Sequence, residues 1–172
     1  MSLSIRRASA ADAEALSAIS RDTFVETFGH LYTPEDLAWH LDFAYAPEKY
    51  RDALDEQGAA VWVLEDGAGA VHGYVFAGPC GLPHDGVQAG DLELKRLYLR
   101  RSVQNGGWGA RLFTVAEDWM RRNGPQAIWI GVWSENLGAQ RFYARRGYEK
   151  AGEYLYPVGE ARDLEFILRK PI

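Results

Sequence analysis

Two stretches of this sequence hold residue types that can do chemistry. The first is Gln104-Asn105-Gly106-Gly107-Trp108-Gly109-Ala110. It follows a strand-like apolar stretch and opens one with helical spacing. A helix start leaves about four backbone N–H groups without partners. Glycines let an anion come close to them, and the helix dipole favours its charge. The same cluster also suits a plain connection that needs positive φ. No Gly-Lys-Ser/Thr follows, so it is not a P-loop. Gly107-x-Gly109 lacks the third glycine of a dinucleotide fingerprint. The second stretch runs from Trp133 to Tyr148. Within it Asn136, Gln140 and Tyr143 stand at i, i+4 and i+7, on one helix face. Such a face either points a phenol at a ligand or lies in solvent with the tyrosine ring packed.

Other chemistries find little material. His30, His40, His72 and His84 are scattered, without His-Glu-x-x-His or a cysteine pair, so no metal is expected. Cys80 is the only cysteine and lies in a Pro/Gly-rich loop. No Gly-x-Ser-x-Gly elbow is present. His30 reads as a turn residue after Gly29. Trp39, Phe43 and Tyr45 read as core or pocket wall rather than a platform for bases.

The elements that must position these residues follow from periodicity and punctuation. Leu3 to Arg7 opens as a strand. Asp12 to Phe28 is helical, with Ala15, Leu16, Ile19, Thr23 and Phe24 along one stripe. Thr33-Pro34-Glu35 starts a second helix that runs to about Phe43, with Thr33 as cap. Pro47 starts a third that ends near Gly58. Ala60 to Glu65 and Ala70 to Ala77 form a hairpin around Asp66-Gly67-Ala68-Gly69. Gly78 to Gly90 is loop. Asp91 to Leu99 is a strand whose alternation slips between Leu94 and Leu97, which predicts a bulge near Lys95. A helix follows from Trp108 to Asn123, then a buried strand from Ala127 to Val132. Ser134 is expected to cap a short helix over Glu135 to Arg146. Tyr148 to Tyr156 and Leu164 to Arg169 are the last strands.

The order is that of one mixed α/β domain spanning residues 1–172, with a single sheet. The chain has 172 residues, 47% of them hydrophobic, enough for a sizeable core. Its net charge of −5 argues against nonspecific nucleic-acid binding. No apolar run reaches the ~20 residues of a membrane helix. Met1 to Ala10 lacks the apolar centre of a signal peptide, so the expected home is the cytoplasm.

Leu97-Tyr98-Leu99 followed by Gln104-x-x-Gly107-x-Gly109-Ala110 resembles the acyl-CoA-binding signature of the GNAT acetyltransferase superfamily. Asn136-x-x-Ala139-x-x-Phe142-Tyr143-x-x-x-Gly147-Tyr148 resembles its second signature. Thr23 to Tyr32 looks like a subgroup that includes bacterial polyamine N-acetyltransferases. The resemblance implies a mostly antiparallel mixed sheet of about seven strands, flanked by helices and splayed between its fourth and fifth strands. It implies acetyl-CoA as co-substrate and a small amine, polyamine-like or a peptide, as acceptor. It also implies direct transfer within a ternary complex.

Roles come with it. Residues Gln104, Asn105, Gly106, Gly107, Trp108, Gly109 and Ala110 would hold the pyrophosphate. Leu97, Tyr98 and Leu99 would pair with the pantetheine amides, and the Leu97 N–H would meet the oxyanion. Asn136 would bond the pantetheine arm, and Tyr143 would protonate the leaving thiolate. Glu93 is the implied base, with Glu26 as base or cation anchor behind it. Glu26, Phe28 and Tyr32 would meet the acceptor. A noncatalytic acetyl-CoA sensor is the alternative, and a homodimer is allowed without being required.

Overall fold

The computed structural model describes residues 2–172; Met1, part of the stretch read above for a leader, lies outside them. Strand β1 (Leu3–Arg7) leads through a short 3-10 turn into α1 (Ala13–Phe28). The turn is fixed by Asp12, whose carboxylate accepts from the Ser9 N–H at 2.8 Å and pairs with Arg6. Helices α2 (Pro34–Tyr45) and α3 (Pro47–Asp55) follow, each with proline in its first turn. Thr33 caps α2, accepting from the Asp36 N–H at 3.2 Å. Strands β2 (Ala60–Asp66), β3 (Val71–Pro79) and β4 (Leu92–Leu99) come next. Then come α4 (Trp108–Arg122), β5 (Ala127–Trp133), α5 (Leu137–Ala144), β6 (Glu149–Val158) and β7 (Ala161–Pro171). The last two strands are longer than the pattern predicts, because they continue as a hairpin to Val158↔Ala161.

The sheet order is β1-β2-β3-β4-β5-β7-β6. All neighbours are antiparallel except β4 and β5, which are parallel and pair only at Leu92↔Ile128 and Glu93↔Trp129. Beyond Glu93 the two strands diverge. The β3–β4 register runs Phe76↔Arg96 and then Ala77↔Leu94, leaving Lys95 without a partner. That is the predicted bulge, and a bulge bends its strand and sharpens its twist.

The bulge also sorts side chains onto the two faces. Leu92, Leu94, Leu97 and Leu99 pack with α4 in one apolar cluster, together with Ile128, Ile130, Val132 and Tyr143. Tyr98 faces the other way, into the cluster formed with α1–α3. Trp133 packs on that same side, against Phe28. Strand alternation adds Asp163 and Glu165 of β7, and Tyr154 and Tyr156 of β6, because Glu165 pairs with Trp133 and Tyr154, and Asp163 with Tyr156. Trp39 and Phe43 stack on each other in solvent, 4.8 Å apart and about half exposed, rather than serving as core or pocket wall. Among the described residues no helix is long and apolar enough to cross a membrane.

Candidate active site

The turn between β4 and α4 places the glycine cluster at the open end of the splay. Gly107 is the residue before the helix and has φ +81°; Asn105 has φ 66°. The first intrahelical bond runs from the Arg111 N–H to the Gly107 carbonyl. The N–H groups of Asn105 through Ala110 have no acceptor among the described residues. A Cβ built on Gly107 would meet nothing within 4 Å, and one on Gly109 would lie 3.5 Å from Leu99. The space over these glycines is therefore open, and the orphan N–H groups border it. An anion the size of a phosphate fits this arrangement. The Gln104 side chain does not face it freely, because its amide donates to the Leu99 carbonyl at 3.0 Å. Arg111 lies over the Trp108 ring, 4.7 Å from its centre.

Asn136, not Ser134, is the cap of the second motif: its side chain accepts from the Ala139 N–H at 3.1 Å. The helix accordingly starts at Leu137 rather than Glu135. Gln140 donates to the carbonyls of Trp133 and Ser134, fixing the β5–α5 corner. Tyr143 is 8% exposed and packs against Phe113, Phe142 and Tyr148. Burial pushes its phenol well above the ordinary tyrosine value, so it stays protonated.

A cavity of about 330 Å³ threads the splay. On the α4–α5 side it is lined by Leu97, Asn136 and Tyr143, and on the α1–α3 side by Tyr98, Phe28 and Tyr32. Of the first signature Leu97 and Tyr98 line this space, whereas Leu99 and the turn from Gln104 to Ala110 do not; of the second, Asn136, Ala139 and Tyr143 line it. Phe28 and Tyr32 join them there, with the Tyr32 hydroxyl donating to Asp163. Glu93 lines the closed end, where β4 and β5 last pair. Its Oε2 accepts from the Gly81 N–H at 3.0 Å and the Lys95 ammonium at 3.3 Å.

Glu26, named for the acceptor, does not line the cavity. Its carboxylate accepts from the Arg101 N–H at 3.1 Å and lies 3.8 Å from Arg100. It ties α1 to the turn after β4, and the structure places it outside the space where an acceptor would bind. His30 is exposed in its turn, as expected.

Several lining residues carry no motif. Glu165, on β7, finds no protein donor among the described residues, and burial with the nearby Asp163 pushes its carboxyl up to about 7. The Tyr154 hydroxyl reaches to 3.2 Å from the place a Cβ on Gly131 would occupy, so a larger residue there would press on it. Arg96 and His40 line the α1–α3 side. The available signal was the alternation Asp163-x-Glu165 beside Tyr154-x-Tyr156, which puts acids and phenols on one face of a terminal hairpin.

A seven-stranded mixed sheet splayed at its one parallel pair, with a free-amide turn at the mouth of the gap, defines an acyl-CoA-type transferase scaffold. The chain belongs to the Acetyltransferase (GNAT) family, whose model matches residues 14–148. It is 35% identical over 155 residues to an uncharacterised N-acetyltransferase from the pepI 3′ region of Lactobacillus delbrueckii subsp. lactis, covering 90% of this chain and 89% of that protein. It is 26% identical over 149 residues to a spermidine N(1)-acetyltransferase of Thermoplasma acidophilum, covering 87% and 89%. The crystal structure of a PaiA N-acetyltransferase from T. acidophilum, in complex with coenzyme A, superposes with a TM-score of 0.78 over 100% of both chains at 22% identity. The chain is thus an acetyltransferase with the GNAT fold.

Proposed function

We propose that this enzyme moves an acetyl group from acetyl-CoA to a primary amine of a small molecule, directly in a ternary complex. One observation carries the reading. A single cavity crosses the sheet at the splay and joins Tyr143 on one face to Glu93 and Glu165 on the other. The free N–H groups of Asn105 to Ala110 would hold the diphosphate. The edge of β4 from Leu97 to Leu99 would take the pantetheine amides, and the Nδ2 of Asn136 would add a donor.

A protonated amine cannot attack a thioester, so a base must take its proton. Glu165 is our assignment: no donor holds it, and its carboxyl titrates near neutral pH. Glu93, the base that the resemblance implies, faces the same cavity from its closed end, with one oxygen already held by Gly81 and Lys95. The Leu97 N–H would stabilise the oxyanion, and one such donor is worth about 3 kcal/mol of barrier. Tyr143 would then give its proton to the thiolate, whose thiol has an ordinary pKa of about 8.5. Holding the amine against the thioester end within this cavity would supply a large further share of the rate.

The test is CoA release, followed by thiol titration, across polyamines, amino acids, aminoglycosides and peptides. Turnover with at least one amine, lost in Tyr143→Phe, is the expected result. Tight CoA binding without turnover on any of them refutes catalysis and leaves a sensor.

A further inference from the structure

The acceptor side of the cavity contains charges that the protein does not neutralise. Arg96 donates to the Tyr50 hydroxyl at 2.9 Å and to the Ala44 carbonyl at 3.3 Å. Its guanidinium lies over the rings of Tyr45 and Tyr50, at 4.7 and 5.6 Å. Among the described residues no carboxylate comes within ion-pair distance of it. The remaining N–H donors of the guanidinium have no protein acceptor. Arg96 is half-buried, and a charge partly withdrawn from water is normally paired, because desolvating it alone is costly. The arginine is also held rigidly: Tyr50 donates to Ser20, and Ser20 donates to the Leu16 carbonyl at 2.6 Å.

His40 repeats the pattern. It is 1% exposed and lines the same cavity, and both its ring nitrogens lack a hydrogen-bond partner. Its ring is packed between Phe24 and Tyr156. Across the space, Asp163 and Glu165 have no basic partner among the described residues; Asp163 accepts only from Tyr32. Glu93 differs, because Lys95 already matches it. The cavity therefore offers an unpaired cation on its β4 wall and unpaired carboxyls on its β7 wall, which do not pair with each other.

A ligand complementary to both walls carries a positive and a negative group. We propose that the acceptor is an amine bearing a carboxylate, with the amine received at Asp163 and Glu165 and the carboxylate held by Arg96 and the His40 ring. This rests on the acetyl-transfer reading above and narrows it. A bare polycation would set one of its ammonium groups against Arg96. A carboxylate there would accept charge-assisted hydrogen bonds from a preorganised guanidinium, worth about 10- to 100-fold in affinity.

The experiment compares matched pairs that differ only by the carboxylate: phenylalanine with phenethylamine, ornithine with putrescine, γ-aminobutyrate with propylamine. Initial rates of CoA release give kcat/KM for each, expressed per concentration of neutral amine. In the wild-type enzyme the carboxylated member of at least one pair is expected to be favoured 10-fold or more. Arg96→Gln should bring that ratio to within about threefold, mainly through KM, while Arg96→Lys should keep part of it. A merely structural arginine would lower both members of a pair equally. Equal or better use of the decarboxylated amines by the wild-type enzyme overturns the proposal and leaves acetyl transfer intact. An unchanged ratio in both Arg96 variants also overturns it. No CoA release with any of the six, while another amine of the wider screen turns over, overturns this proposal alone; no release across that whole screen overturns the acetyl-transfer reading with it. Should Arg96→Gln fail to fold, the wild-type pairs and Arg96→Lys still decide.

Discussion

Replacing Glu165 by glutamine should stabilise the protein at alkaline pH while disabling it. Burial, reinforced by Asp163, raises this carboxyl from 4.5 to about 7. The sign follows from proton counting. Between those two values the native state binds more protons than the unfolded chain, so stability falls as pH rises through the interval. The cost is nearly absent well below 4.5 and complete above 7. At about 1.4 kcal/mol per tenfold, ionised Glu165 costs the fold about 3 kcal/mol at pH 8 and less than about 1 at pH 5. Glutamine keeps the shape and removes the charge. In a domain of this size 1 kcal/mol moves Tm by about 2–4 °C, so the variant should melt roughly 6–12 °C higher at pH 8 and less than about 4 °C higher at pH 5. Its kcat/KM should fall about 10²–10⁴-fold. The wild-type acidic limb near pH 7, after correction for neutral amine, should vanish with it. Differential scanning calorimetry at the two pH values and a pH–rate profile provide the readouts. Equal stabilisation at both pH values would show that the carboxyl does not ionise at cost in the native protein. A limb that survives in Glu165→Gln but disappears in Glu93→Gln would move the base to Glu93.

The other expectations separate binding from chemistry. Tyr143→Phe should lower kcat about 100-fold with CoA affinity unchanged within twofold in calorimetry, because the ring packing against Phe113 and Tyr148 is retained; a silent variant removes Tyr143 from the mechanism. Asn136→Asp should keep the helix cap and Tm but weaken CoA binding, because an acid retains the acceptor for the Ala139 N–H and loses the amide donor; unchanged affinity would make Asn136 a cap and nothing more. Gly109→Val should fold with Tm within a few degrees, since a Cβ there meets Leu99 at an ordinary 3.5 Å, yet lose CoA binding by covering the free N–H groups; a folded variant that still binds CoA refutes the phosphate turn.

Most of the fold was legible because its signals are local. Proline at the start of α2 and α3, the Asp66–Gly69 hairpin and the slipped leucine alternation at Lys95 each act within a few residues. The capping residue of α5 was misplaced because Ser134 and Asn136 are both good caps two positions apart, and Gln140 ties the Trp133 and Ser134 carbonyls into the corner before the helix. The groups we propose for the co-substrate are open to a local reading for the same reason: they lie on two continuous stretches. Those on the acceptor side are not. Arg96, His40, Asp163 and Glu165 come from β4, α2 and β7 and meet only through sheet order, which no local pattern encodes. Glu26 misled because its subgroup-like stretch sits on α1 beside Phe28, yet its own side chain turns out toward Arg100 and Arg101.

The splay itself explains why the two halves need each other. From Leu94 onward β4 has no strand on its β5 side, and β5 has none on its β4 side beyond Trp129. Both edges carry backbone N–H and C=O groups, and unpaired buried groups of this kind cost about 1–3 kcal/mol each. Closing the gap would pair them, but the bulge at Lys95 turns β4 away, and the apolar clusters on either face hold the strands apart. An extended chain rich in amides is the ligand that satisfies such an edge, in the manner of an added strand. On the reading proposed above, the gap would select pantetheine through its backbone rather than its side chains. Leu97 and Leu99 can therefore be any apolar residue, whereas a proline at either position would remove an edge donor and bind CoA poorly.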